Sequence, residues 1–171
     1  TPESLAAYRK RFGPDYFSFR QGGFVGIVVN SCLVFAPQKV QAAAGDQAQW
    51  LRAELARARQ GGARHIVLFQ HHPLFVKDAA EPDQYENIPG DRRGPLLKLL
   101  RDFGVRYVFA GHYHQNAVAR DGDLEVVTTG PIGKPLRGAK SGMRVGVVSD
   151  AGIEHHYFDL GDLPTRIALP K

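Results

Sequence analysis

Histidines that follow two apolar runs are the candidates for chemistry in this sequence. His71-His72-Pro73 follows one apolar run, and Gly111-His112-Tyr113-His114 follows another. Imidazole is the commonest neutral metal ligand in proteins, and with oxygen donors it suits divalent zinc, manganese or iron. Two histidines separated by one residue can serve different ions if the backbone turns between them, and Gly111 is expected to permit that turn. The sequence therefore predicts His71, His112 and His114 as metal ligands.

Two buried strands are predicted to place these histidines. Residues 65–70 enclose the continuous apolar run Ile66-Val67-Leu68-Phe69, and residues 105–110 form a second apolar run. Such runs are typical of parallel strands that are covered on both faces. Ligand sites in open α/β sheets lie beyond the carboxyl ends of the strands. If the two strands are near neighbours, the histidine pairs meet at one edge of the sheet.

The remaining patterns predict an α/β fold with the order β-α-β-α-β in the middle of the chain and mostly strands after it. Asp46 is expected to be the N-cap of a helix that ends at Gly61-Gly62, and Pro95 is expected in the first turn of a helix that ends at Gly104. The other predicted elements are a helix over 4–11, a hairpin of strands 16–19 and 24–29, and strands over 124–129, 143–148 and 153–158.

Composition narrows the functional classes. The 171 residues fit a single domain, and no apolar run approaches the ~20 residues that a membrane helix needs. A single cysteine, Cys32, excludes an internal disulfide framework and a cysteine-rich zinc module. The net charge of +5 is scattered along the chain, so both a solvated surface and a functional basic rim remain open. We expect no membrane partner and no nucleic acid, and the cytoplasm is the default location.

The two histidine segments resemble the last two signature blocks of the calcineurin-like metallophosphoesterases, which are a His-x-Pro block and a Gly-His-x-His block. The similarity extends from about Asp15 to about Leu160 and is greatest to the subgroup of calcineurin-like phosphoesterase domain-containing proteins. The segments that carry it are Asp15-Tyr16-Phe17-Ser18-Phe19, Val29-Asn30-Ser31, Phe69-Gln70-His71, Pro73-Leu74-Phe75, and Gly111-His112-Tyr113-His114 with Asn116.

The resemblance implies a four-layer α/β/β/α sandwich and a pair of divalent metal ions that share a bridging aspartate. By this resemblance His71 and His112 would bind one ion, and His114 would bind the other. It places His72 and Asn116 near the substrate. The implied reaction is hydrolysis of a phosphorylated small molecule or a phosphoprotein, in which the ions would activate water and neutralise phosphoryl charge.

The family's earlier Asp-x-His and Gly-Asn-His blocks do not occur in this sequence, and none of its Gly-Asp pairs follows an Asp-x-His block as the family's second block does. We therefore expect residues 1–171 to be the C-terminal half of one partial domain that requires its N-terminal half. Three histidines without the carboxylates of the missing blocks should hold neither ion tightly, so this polypeptide is expected to be inactive alone. A fragment, a separately encoded half and a truncated product all remain open.

Two functions of different classes remain. In the first, the intact protein is a two-metal phosphoesterase whose substrate loop lies within 77–93, where Lys77 and Arg92, together with Lys134 from a later turn, could meet phosphate. In the second, the chain is a non-catalytic α/β binding module whose basic surface holds an anionic partner.

Overall fold

The computed structural model of the chain describes residues 1–167, and its elements alternate between helix and strand. The helices are α1 (Pro2–Phe12), α2 (Cys32–Phe35), α3 (Gln41–Gln60) and α4 (Gly90–Asp102), with single 3-10 turns at Pro37–Lys39 and Leu160–Asp162. The strands are β1 (Phe17–Gln21), β2 (Phe24–Val28), β3 (His65–Phe69), β4 (Tyr107–Ala110), β5 (Ala117–Asp121), β6 (Leu124–Thr128), β7 (Gly142–Val148) and β8 (Ile153–Asp159).

The first six strands form one mixed sheet in the order β1-β2-β3-β4-β6-β5. Its central strands β2, β3, β4 and β6 run parallel to one another, and β1 and β5 pair antiparallel at its two edges. The central strands are rich in β-branched and aromatic residues, as expected for strands that are buried on both faces. Their carboxyl ends therefore point to the same edge of the sheet.

Helices α3 and α4 cover one face of this sheet. They bury apolar side chains against alternate residues of the central strands, because side chains on a strand point to opposite faces in turn. Leu55 and Leu100 are fully buried at this contact, as are Ile27 and Val108 on the strands. These residues belong to one continuous core. None of the helices in residues 1–167 is long and apolar enough to cross a bilayer.

The opposite face of the sheet is only partly covered. The antiparallel pair β7-β8 lies over its centre, where the Tyr107 hydroxyl accepts a hydrogen bond from the backbone N–H of Ile153 at 3.3 Å. Farther along this face, Phe17 and Phe19 of β1 are 47% and 44% exposed. The described residues thus form three layers, namely helices, a mixed sheet and a two-stranded sheet, of the four-layer sandwich that the resemblance implies.

The order of elements in the middle of the chain confirms the predicted α/β fold, but two helix starts were predicted wrongly. Helix α3 begins at Gln41, so Asp46 lies inside the helix and is not its N-cap. Helix α4 begins at Gly90, so Pro95 lies inside it and not in its first turn. Tertiary packing of the apolar stripe outweighs these local signals, because burial stabilises a helix more than a cap does. The edge strand β5 had not been predicted.

Replacing Leu55 by alanine should lower the free energy of unfolding by about 2–5 kcal/mol, since its side chain is fully buried against the sheet. Arg52→Ala provides a control on the same helix, because Arg52 is exposed and alanine is a good helix former. Urea unfolding of both variants measures the difference. Equal losses would contradict the packing of α3 on the sheet.

Candidate metal centre

The candidate site begins where β3 and β4 end. Beyond the last strand residues, the backbone N–H of Gln70 donates to the carbonyl of Phe109 at 3.0 Å, and the N–H of Gly111 donates to the carbonyl of His71 at 3.0 Å. The parallel pairing therefore continues beyond the strand ends as far as His71 and Gly111. This continuation fixes His71 beside the Gly111-His112 peptide, as the sequence predicted.

His71 and His112 face one another across this edge. Nε2 of His71 lies 3.1 Å from Nδ1 of His112, and the ligand atoms of His71, His72 and His112 all lie within 4.8 Å of one another. Two nitrogens bound tetrahedrally to one zinc ion at the usual bond length stand about 3.3 Å apart. The His71–His112 pair therefore fits two adjacent positions of one metal ion.

Backbone carbonyls contact one ring nitrogen of His112 and one of His114. Nε2 of His112 lies 3.0 Å from the carbonyl oxygen of Tyr85, and Nδ1 of His114 lies 2.7 Å from that of Lys134. A carbonyl oxygen only accepts, so the ring nitrogen in each pair carries the proton and donates it. In the neutral rings, Nδ1 of His112 and Nε2 of His114 then carry no proton. Metal-binding histidines show this same arrangement, with the second ring N–H held by a carbonyl or carboxylate.

The backbone turns at the histidines themselves. His112 and His114 have φ angles of 62° and 58°, in the left-handed region, where histidine is enriched among residues other than glycine. Gly111 is not among the residues with positive φ, so the expectation that Gly111 provides the turn was wrong. Strained residues of this kind cluster at functional sites. The two successive turns send the His112 and His114 rings to different carbonyl partners.

His72 differs from its neighbour because it is buried and held by Ser31. Its ring is stacked on Phe35 with a centroid distance of 4.4 Å. The Ser31 hydroxyl oxygen accepts from the backbone N–H groups of His71 at 3.2 Å and His72 at 2.9 Å, and it lies 2.9 Å from Nδ1 of His72. Both lone pairs of this oxygen are thus used, so the hydroxyl proton is donated to Nδ1. The proton of the neutral ring is then on Nε2, which makes His72 a donor and opposes its use as a ligand.

The electrostatics of the site favour a bound cation in one respect and oppose it in another. Burial, followed by the neighbouring His112, lowers the pKa of His71, and the same two causes lower the pKa of His72 to about 4. Neutral imidazoles are the form that binds metal. However, the group within residues 1–167 that could hold an ion consists of imidazoles alone, without a carboxylate to balance the charge of the ion.

The other predicted residues have structural contacts of their own. The Asn116 side-chain oxygen accepts from the backbone N–H of Gly130 and from Arg144, both at 3.0 Å, so its substrate contact stays a prediction. The Arg92 guanidinium donates to the carbonyl of Phe35, where it caps α2. Ser31 was indicated by the sequence only as part of the Val29-Asn30-Ser31 segment that carries the resemblance. No pattern indicated Tyr85, because its backbone carbonyl makes the contact.

No protein-family model matches the chain. The chain is similar to curated relatives named serine/threonine-protein phosphatase CPPED1. It is 37% identical to the relative from Bos taurus over 166 residues, which cover 97% of this chain and 53% of the relative. It is 35% identical to the relative from Danio rerio over 170 residues, which cover 97% of this chain and 54% of the relative. The chain spans about half the length of the curated relatives it matches.

Two solved structures share the fold of this chain. The first is GAP50, described as the anchor in the inner membrane complex of Plasmodium, with a TM-score of 0.53 and 18% identity over 67% of this chain and 36% of that chain. The second is a dimetal phosphatase from Danio rerio, with a TM-score of 0.50 and 16% identity over 75% of this chain and 55% of that chain. At these identities the two structures show the fold alone.

Acidification should destabilise the protein through His72 when a chelator keeps metal out. The unfolded chain takes up a proton at this ring as pH falls through 6.5, whereas the folded protein does so only at about 4. The contribution of the neutral His72 ring to the free energy of unfolding is therefore fully present above pH 6.5. It is lost progressively as pH falls from 6.5 to 4, by about 1–3 kcal/mol. Urea unfolding at several pH values should show a weaker acid loss in His72→Gln, and identical pH profiles would contradict the buried neutral ring.

Proposed function

We propose that the intact protein, whose chain belongs to the calcineurin-like metallophosphoesterase superfamily, is a phosphatase that hydrolyses phosphate esters with two divalent ions. The observation that carries the proposal is the orientation of the histidines. His112 and His114 each give one ring N–H to a backbone carbonyl, which leaves the other nitrogen free for a metal. We propose that His112 and His114 take part in catalysis by binding the metal ions.

In this proposal His71 and His112 would hold one ion through Nε2 and Nδ1, and His114 would hold the second ion through Nε2. When bound, the ions would supply activation of water and neutralisation of charge on the phosphoryl oxygens. The residues of this chain contribute orientation, because Tyr85 and Lys134 fix the rings through their carbonyls. The donor set of nitrogen and expected carboxylate oxygen fits manganese, iron or zinc.

His72 has a different role in the proposed reaction. Its Nε2–H group is set as a donor by Ser31, and one of its ligand-type ring atoms lies within 4.8 Å of those of His71 and His112. A hydrogen-bond donor beside the metal ligands can bind a phosphoryl oxygen of the substrate and stabilise charge that develops there. We therefore assign His72 to the substrate and not to the metal.

The proposal includes a second half of the domain. A group made of imidazoles alone lacks the carboxylates that a two-metal site needs, and the curated relatives are about twice as long as this chain. The partly exposed Phe17 and Phe19 lie on the face of the sheet that β7-β8 leaves uncovered. We assign this chain to the C-terminal half, with the bridging aspartate and the Asn-His block on the N-terminal half.

The names of the relatives favour a phosphorylated protein as the substrate, and a phosphorylated small molecule is the alternative. Both classes present a phosphate monoester, which the same histidines would recognise. A cytoplasmic location remains a prediction.

Removal of a proposed ligand should weaken metal binding strongly. Loss of a hydrogen-bonding partner of a ligand already costs about 10- to 100-fold in metal affinity, so His112→Ala should lower Mn²⁺ affinity of the intact protein by at least about 100-fold. Phosphatase activity should fall with it. His156→Ala is the matched control, because His156 is exposed on β8. Calorimetry and hydrolysis of a phosphopeptide test both variants, and equal Mn²⁺ affinity in the two would refute the ligand assignment.

Supplying the proposed N-terminal half should restore the site. We expect the chain by itself to bind Mn²⁺ weakly and to show no phosphatase activity, because stable sites usually need three or four protein ligands per ion. Co-expression with the upstream half should yield a complex that holds about two Mn²⁺ ions and is active. Elemental analysis of both samples gives the metal content. Full activity of the chain alone would overturn the assignment of a half domain.

A further inference from the structure

A polar cluster lies behind the histidine segment, between β6 and the β7-β8 pair, and its centre is Arg144. The guanidinium of Arg144 contacts three acceptors. Its Nη1 lies 2.9 Å from Nδ1 of His155, its Nε lies 3.2 Å from the hydroxyl of Thr129, and its Nη2 lies 3.0 Å from the side-chain oxygen of Asn116. Arg144, His155 and Thr129 have no part in the proposed reaction, whereas Asn116 is predicted to lie near the substrate.

The contacts of Arg144 determine the proton position on His155. A guanidinium only donates, so Nδ1 of His155 accepts from Arg144 and the proton of the neutral ring is on Nε2. This N–H donates to Glu125 at 2.6 Å, and the Glu125 side chain is only 6% exposed. Burial lowers the pKa of the Arg144 guanidinium and the charge of Glu125 opposes that effect. Arg144 and His155 thus form a chain of hydrogen bonds that is anchored on a buried carboxylate.

The other end of this chain of hydrogen bonds is Asn116, which lies next to the segment that carries His112 and His114. The side-chain oxygen of Asn116 accepts from Arg144 and from the backbone N–H of Gly130, so both of its lone pairs are filled. Asn116 follows His114 by two residues, and Gly130 begins the loop whose Lys134 carbonyl holds the His114 ring. Space at this junction is limited, because a Cβ on Gly130 would lie 2.9 Å from the hydroxyl oxygen of Tyr157.

We propose that Arg144 is a positioning residue for His114, which it acts on by fixing Asn116 and thereby both the end of the histidine segment and the loop that orients the His114 ring. The inference rests on the proposed metal-dependent function and adds a residue from the two-stranded sheet to its support. Arg144 contacts neither the metal ligands nor, in this proposal, the substrate. Its effect is transmitted through Asn116 and Gly130.

The test compares Arg144→Met, Arg144→Lys and Arg120→Met in the intact protein, with Mn²⁺ as the probe. Arg120 also pairs with Glu125, but it lies on the exposed side and has no contact with Asn116, so it is the matched control. We expect Arg144→Met to lower Mn²⁺ affinity and kcat by about 10- to 100-fold, as removal of partners of metal ligands does. Arg144→Lys keeps the charge but reaches fewer acceptors, so its Mn²⁺ affinity and kcat should lie between those of the wild type and Arg144→Met. Arg120→Met should match the wild type.

Nuclear magnetic resonance provides a readout that does not depend on activity. In the wild type the His155 ring should show the Nε2–H tautomer, and exchange of the Gly130 amide should be faster in Arg144→Met and unchanged in Arg120→Met. If Arg144→Met does not fold, the inference is tested by the His155 tautomer in the wild type and by the Mn²⁺ affinity of Arg144→Lys. A His155 ring protonated on Nδ1, or Arg144 variants with wild-type Mn²⁺ affinity, would overturn the inference alone. A wild-type protein without Mn²⁺ binding would instead overturn the proposed function and this inference with it.

Discussion

The parallel register between β3 and β4 is the constraint on which the metal centre depends. Phe69 pairs with Phe109, and the same ladder continues through the hydrogen bond from the Gly111 N–H to the His71 carbonyl. A shift by one residue would turn every side chain of one strand to the opposite face of the sheet. Because α3 and α4 bury one face of both strands, such a shift would expose the core. The packing that stabilises the sheet therefore also sets the 3.1 Å separation of the two imidazoles.

The histidines are oriented by two backbone carbonyls and one side-chain hydroxyl, which come from three separate loops. The carbonyls of Tyr85 and Lys134 each accept a hydrogen bond from one ring N–H, and the Ser31 hydroxyl donates a hydrogen bond to Nδ1 of His72. The rings therefore differ in which nitrogen carries the proton. His112 and His114 present a lone pair, whereas His72 presents a donor N–H. The proton positions follow from the number of lone pairs on each partner, and they agree with ligands on one side and a substrate contact on the other.

The sequence was most informative about the strands and the residues that end them. Continuous apolar runs identify buried parallel strands, and parallel strands share one edge, so the meeting of His71 and His112 could be predicted. The starts of α3 and α4 could not, because Asp46 and Pro95 are strong local signals that tertiary packing outweighs. Contacts through backbone carbonyls were also beyond prediction, since any residue type can supply a carbonyl.

The most direct test of the metal centre is anomalous X-ray scattering from crystals of the intact protein that contain zinc. We expect a peak at about 2.0–2.1 Å from both Nε2 of His71 and Nδ1 of His112, and a second peak at that distance from Nε2 of His114. Nε2 of His72 should lie outside the bonding distance of either ion. Zinc bound through His72 in place of His112, or rings that turn away from any shared ion, would contradict the account.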